Sequence, residues 1–255
     1  MKGTVLYDVK DGIAILTVDN PPVNPLSDGV RTGLFESLVK AEEDSSVIGV
    51  VLTGNGRAFI AGADISEFGG NVEGISLNEV FNKLEYCSKP VVAAINGIAL
   101  GGGLETALCC NYRIADKKAF VGLPEVNLGL LPGGGGTQRL PRLVGPSEAL
   151  KMMLSGGHVP AKKALHMGIV DKMSENVVED SMAFIKEMAD SVENHPKVRE
   201  KNEKMIEARG DDKVLVEAQA LAAKTRKGQF APGQIIKCVE SAINLDDFDE
   251  GLKKE

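Results

Sequence analysis

Residues 97–110, GIALGGGLETALCC, place one carboxylate, Glu105, directly behind three consecutive glycines inside an apolar stretch. Glycines bare the backbone, and a helix start offers unpaired N–H groups and the positive end of the helix dipole. A ligand atom gaining negative charge finds donors there. Twenty residues on, Glu125 in GLPEVNLGL sits among Leu123, Val126, Leu128 and Leu130. Apolar surroundings raise the proton affinity of both glutamates, and convergence pushes their titrations apart, so that one holds a water while the other holds a proton. That is general acid–base chemistry on a small substrate. The plainer alternative also stands: Glu105 pairs with Arg113 or Arg139, or caps its own helix. Asp64, in AGADI, is open in the same way between a site carboxylate and a turn or cap residue.

Other chemistries lack their residues. The run PGGGGTQR at 132–139 is not a phosphate loop, because no Gly-Lys-Ser/Thr occurs, and the G-x-G-x-x-G fingerprint is not completed. It reads either as a turn entering a helix, with Thr137 as a cap, or as a direct ligand contact. No G-x-S-x-G occurs, and His158, His166 and His195 lie far in sequence from the glycine clusters, so a nucleophile triad is not supported. Cys87, Cys109, Cys110 and Cys238 have no metal-ligand or redox spacing. They read as buried small hydrophobes in a reducing compartment, with no metal site expected.

These residues need elements to position them. At 255 residues, 43% hydrophobic and 25% charged, the chain is long enough for one sizeable α/β domain. TVLYDV and IAILTV flank Asp11-Gly12 and predict a β-hairpin. Ser27 is placed to cap a helix carrying Val30, Leu34, Leu38 and Ala41 at helical spacing. VIGVVLTG (47–54) and PVVAAIN (90–96) are continuous apolar runs of strand length, as strands covered on both faces are. A helix is expected between them at 76–87, so the alternation predicts parallel strands. From about Val177 onward the pattern turns helical and charged through SMAFIKEMADSVE, KVREKNEKMIEARG and VLVEAQALAAKTRKG; in the closing PGQIIKCVESAIN, Ile235, Val239 and Ala242 share a face.

The net charge of −7 argues against a nucleic-acid surface. No run approaches the ~18 apolar residues of a membrane span, and the first residues lack a signal peptide's apolar core. The expectation is a cytoplasmic protein without nucleic-acid or membrane partners.

NGRAFIAGADISEF, KPVVAAINGIALGGGLETALCCNYRIA and FVGLPEVNLGLLPGGGGTQRLPRLVG, long blocks in the expected order, resemble the enoyl-CoA hydratase/isomerase, or crotonase, family. The resemblance runs from the first strand to about Lys172 and is strongest over residues 54–145. GLPEVNLGLLPG and FDEGLKKE are most similar to the hydratase half of bifunctional enzymes joining enoyl-CoA hydratase to 3-hydroxyacyl-CoA dehydrogenase. The resemblance implies a crotonase-type spiral of ββα units over residues 1–190 and a C-terminal α-helical region over 191–255. It also implies a coenzyme A thioester as substrate, no separate cofactor, and a homotrimer or dimer of trimers.

Carried over by resemblance, the oxyanion hole is the N–H groups of Ala63 and Gly102, and the catalytic pair is Glu105, activating water, and Glu125, handling the C2 proton. Ala61, Asp64, Ile65, Gly101 and Leu26 are the implied substrate-binding residues. Hydratases keep both glutamates; isomerases that move a 3-enoyl double bond work with the second alone, so an accessory isomerase activity is implied. A crotonase-fold protein that only binds CoA esters is the non-enzymatic alternative. Residues 69–77, GGNVEGISL, lie where relatives vary and the acyl chain passes. The chain stops at Glu255, short of the last helix of stand-alone relatives, so it is expected to be either a short stand-alone enzyme or the hydratase part of a longer one.

Overall fold

The computed structural model describes residues 3–67, 74–189 and 194–255. Asp11 and Gly12 both take positive φ, 52° and 76°, the turn that matches strand twist in a two-residue hairpin. It joins β1 (Thr4–Lys10) to β2 (Ile13–Asp19) in antiparallel register. The helix predicted after the proline-rich turn is α1 (Asp28–Glu43), with Val30, Leu34, Leu38 and Ala41 fully buried. Ser27 stands at its N-cap position without capping it. Its hydroxyl accepts from Asn20 Nδ2 at 3.1 Å, and the Asp28 N–H is instead satisfied by Glu67 Oε1 at 2.8 Å.

The chain then repeats a strand–strand–helix unit. β3 (Gly49–Gly54), β4 (Ala58–Ile60) and α2 (Leu77–Glu85) form one turn; β5 (Val91–Ile95), β6 (Ile98–Leu100) and α3 (Gly102–Cys109) form the next. β7 (Tyr112–Asp116), β8 (Phe120–Gly122) and α4 (Gly136–Val144) form the third. The first strand of each unit enters a six-stranded sheet and the second a four-stranded sheet, so the chain advances as a spiral. Beyond α4 come α5 (Pro146–Ser155), β9 (Val159–Pro160), α6 (Ala161–Met167), β10 (Lys172–Ser174) and α7 (Val177–Ala189). The sheet orders are β1-β2-β3-β5-β7-β10 and β4-β6-β8-β9, parallel except for β1 and β9.

β3 and β5 are buried at every position because both faces of the large sheet are covered. Side chains alternate across a strand: Val50, Leu52, Ala93 and Ile95 enter the main core, whereas Val51, Val92 and Ala94 pack under Met182 and Ile185 of α7. The first C-terminal helix in sequence thus closes the back of the sheet. The boundary expected at 190/191 and part of the 69–77 segment lie outside the described residues.

α8 (Glu203–Ala208), α9 (Lys213–Thr225), α10 (Ala231–Asn244) and α11 (Phe248–Leu252) complete the fold. KVREKNEKMIEARG is not one helix. A single 3-10 turn, Val198–Glu200, precedes α8, where Arg199 turns inward to Glu85 and Asp249. On α10, Ile235, Val239 and Ala242 are buried as one face. Among the described residues no helix is long and apolar enough to cross a membrane.

Candidate active site

β4, β6 and β8 are adjacent and parallel, so their carboxyl ends open on the same edge of the small sheet. The segments leaving these strands therefore meet in space: Ala61–Ala63 after β4, Gly101–Glu105 after β6, and Pro124–Glu125 after β8. Ligands of parallel α/β sheets bind at such carboxyl ends. Here the segments surround a cavity of about 430 Å³. Its walls include Ala61, Ala63, Ile65, Gly101, Gly102, Glu105 and Glu125, seven of the nine residues expected at the site, with Leu77, Leu128, Leu130 and Leu131 as an apolar side. Leu128, 62% exposed, stands at this wall with its side chain largely unburied.

Leu26 and Asp64 are the two exceptions. Both face an adjoining recess of about 250 Å³ that shares Ala63, Leu77 and Gly133 with the main cavity. Leu26 bridges to Ala63 and buttresses Gly102, where an added Cβ would meet its Cδ1 at 3.1 Å. The Asp64 carboxylate is spent on a local turn, accepting from the Ser66 N–H at 3.0 Å and hydroxyl at 2.7 Å.

The glycines behind Glu105 have distinct reasons. Gly101 has φ 53° and ψ −127°, which side chains resist, and a Cβ there would lie 2.9 Å from Glu125 Oε1. Gly102 is the first residue of α3, where the N–H has no intrahelical partner, and it lies beside Ala63. A Cβ on Gly103 would fall 1.9 Å from the Ile60 carbonyl oxygen, so only glycine lets α3 rest on β4.

Glu105 is 3% exposed, and among the described residues no arginine pairs with it. Arg113 pairs with Asp171 at 2.9 Å, and Arg139 grips Glu85 through two bonds of 3.0 and 2.8 Å. Glu105 Oε1 instead accepts from the N–H groups of Gly134 and Gly136, both at 2.8 Å. The PGGGG run is therefore more than a plain turn. Its glycines enter α4, with Gly135 in the left-handed region at the N-cap, and they also hold the site's carboxylate. Thr137 is not a cap; its hydroxyl donates to Glu255 Oε1.

Burial raises the Glu105 proton affinity, opposed by the two glycine N–H groups and by Arg139. Glu125 has only its own backbone N–H as a donor. Its Oε2 is buried without a hydrogen-bond partner, and desolvation, with the charge of Glu105, pushes it up to about 8. Both carboxyls are thus raised by burial, but Glu105 accepts two backbone N–H bonds that favour its ionised form, whereas Glu125 Oε2 accepts none. Sequence reasoning missed Gly134 and Gly136 as ligands of Glu105, although the glycine run itself was visible. It also missed Glu255, the last residue of the FDEGLKKE stretch, whose spacing from the other glutamates gives no sign of a place at the site.

Residues 8–235 match the sequence model of the family described as enoyl-CoA hydratase/isomerase. The chain belongs to that family. Its matches include the peroxisomal bifunctional enzyme of Danio rerio, 40% identical over 97% of this chain and 34% of that protein. They also include the fatty acid oxidation complex subunit alpha of Shewanella frigidimarina, 42% identical over 92% of this chain and 35% of that protein. The chain spans about a third of the length of these curated relatives. Among solved structures, the enoyl-CoA hydratase of Bacillus anthracis aligns with a TM-score of 0.69 at 29% identity, covering 98% of this chain and 95% of that one. An enoyl-CoA hydratase subunit of Geobacillus kaustophilus gives 0.68 at 31% identity, covering 99% and 86%. The ββα spiral with its C-terminal helices is the crotonase fold of this family.

Proposed function

We propose that the chain is an enoyl-CoA hydratase, adding water across the 2,3 double bond of a trans-2-enoyl-CoA to give a 3-hydroxyacyl-CoA. The observation that carries this is the unequal glutamate pair in one apolar cavity: Glu105 held by the N–H groups of two glycines, Glu125 desolvated with its Oε2 unpartnered. The thioester carbonyl accepts from the N–H groups of Ala63 and Gly102, which strengthen as the oxygen becomes enolate-like; one such donor contributes about 3 kcal/mol to the barrier reduction. Ionised Glu105 takes a proton from water as the water oxygen bonds to C3. The π electrons move toward the carbonyl, and the enolate collapses by taking the Glu125 proton at C2. Glu105 ends protonated and Glu125 ionised, so one proton exchange between them resets the site.

Ala61, Gly101 and Ile65 line the thioester and acyl path, Leu26 supports Gly102 from behind, and Asp64 shapes the turn beside the recess. The reaction balances with no cofactor beyond the CoA of the substrate. The free carboxyl oxygen of Glu125 also supports a second reading at the same site, Δ3-Δ2-enoyl-CoA isomerisation, in which one group moves a proton along the acyl chain. Assembly as a homotrimer or dimer of trimers belongs to the proposal, supported by Ile206, Val216 and Phe230 exposed on and beside the C-terminal helices. So does a cytoplasmic, reducing setting, supported by four free cysteines.

The test monitors loss of conjugated thioester absorbance with crotonyl-CoA and longer trans-2-enoyl-CoAs. Glu105→Gln and Glu125→Gln are each expected to lower turnover at least ~100-fold. Near-normal rates in both variants refute the mechanism. Wild-type binding of CoA esters without turnover at any chain length would make the protein a sensor, and a 3-enoyl-CoA substrate tests the isomerase reading.

A further inference from the structure

Two carboxylates, Glu105 and Glu255, are held by the loop that enters α4, and its backbone N–H groups alternate between them. Gly134 and Gly136 donate to Glu105 Oε1, while Gly135 donates to Glu255 Oε2 at 2.7 Å and Thr137 to Glu255 Oε1 at 3.1 Å. The Thr137 hydroxyl adds a third bond to Glu255 Oε1, at 2.5 Å. Each peptide unit is rigid and planar and is joined to the next at a shared Cα, so a movement of Gly135 and Thr137 is passed to the adjoining units whose N–H groups hold Glu105. On the loop's carbonyl side, Arg139 Nη1 donates to the Gly134 oxygen at 3.0 Å while gripping Glu85.

Glu255 is itself well anchored. Its N–H donates to the Leu252 oxygen at 3.2 Å, and the neighbouring Lys254 oxygen accepts from Cys238 Sγ at 3.2 Å. Asp249 of α11 pairs with Arg199 at 2.6 Å, and the Phe248 ring is flanked by Arg139, Arg142 and Arg199 with centroid distances of 5.0, 4.9 and 4.4 Å. The charged and titratable groups facing Glu255 are Glu105 from α3, Glu125 after β8, Arg139 from α4 and Cys238 from α10. Burial and the Glu105 charge raise its proton affinity, and the loop donors and Arg139 oppose them.

We propose that Glu255 is a positioning residue for the hydration step, holding the 134–137 loop so that Glu105 stands over the substrate with its second oxygen free for water. This rests on the hydratase reading of the site. Glu255 touches no substrate; it acts through two peptide units, more than a hundred residues away in sequence from the group it positions.

The test compares wild type, E255Q and E255A, each in the native and the E105Q background, with crotonyl-CoA and with circular dichroism to establish folding. E255Q keeps the shape but turns an N–H toward the loop's own donors. The expected result is a kcat lowered about 10- to 100-fold with KM changed less than about 3-fold, as for a misplaced catalytic group. In the E105Q background the same substitutions are expected to change kcat less than about 3-fold, because the group being positioned is already gone. Native-like kcat in both variants overturns the proposal, and so does an equal loss in both backgrounds, which is the mark of general destabilisation. Should E255A not fold, the E255Q ratios decide alone. A wild type that hydrates no enoyl-CoA removes the hydratase reading and this proposal together, whereas an active wild type with unaffected variants removes only the proposal.

Discussion

Replacing Glu125 by Gln is expected to raise stability at alkaline pH while it abolishes most of the activity. The folded chain holds the Glu125 proton up to about pH 8, whereas the unfolded chain releases it near the ordinary 4.5. Between those values the folded state binds more protons than the unfolded state, so stability is complete below pH 4.5 and declines as pH rises toward 8. The difference, about 3.5 pH units, sets a ceiling of about 5 kcal/mol at 1.36 kcal/mol per unit. The cavity opens to solvent, which screens part of this, so about 1–3 kcal/mol is the expected gain for a neutral glutamine above pH 8. For a domain of this size that is about 2–10 °C in Tm. Thermal unfolding of wild type and variant at pH 5 and pH 9 reads it directly: near coincidence at pH 5, with the variant higher at pH 9. An offset of the same size and sign at both pH values would refute the buried, protonated assignment of Glu125.

Glu85→Ala is expected to cost about 3–5 kcal/mol in urea denaturation, because it leaves Arg139 buried without its carboxylate; a loss under about 1 kcal/mol would contradict that. Gly103→Ala forces a Cβ against the Ile60 carbonyl oxygen, backbone against helix, and is expected to lose about 3 kcal/mol or more. Soluble expression at wild-type Tm would show that α3 moves off β4 freely. Ser76→Ala removes one half of the capping box that starts α2 and is expected to cost about 1 kcal/mol by chemical denaturation; an unchanged midpoint would show the cap to be idle.

The local pattern of this chain determined its elements. The Asp11-Gly12 hairpin, the α1 stripe and the unbroken apolar runs of β3 and β5 follow from turn chemistry and side-chain periodicity, which act between near neighbours and so can be read along a sequence. The glycine-backed glutamate and its apolar surroundings were legible for the same reason, and the family motifs supplied seven residues that the structure gathers around one cavity. Only the tertiary structure decided the partners. Glu105 went to the Gly134 and Gly136 N–H groups instead of an arginine because Glu85 and Asp171 had engaged Arg139 and Arg113, a competition among residues distant in sequence. Glu255 meets the same loop across 120 residues of sequence. Hydrogen bonds and burial depend on where backbone donors end up in space, and no spacing along the chain encodes that.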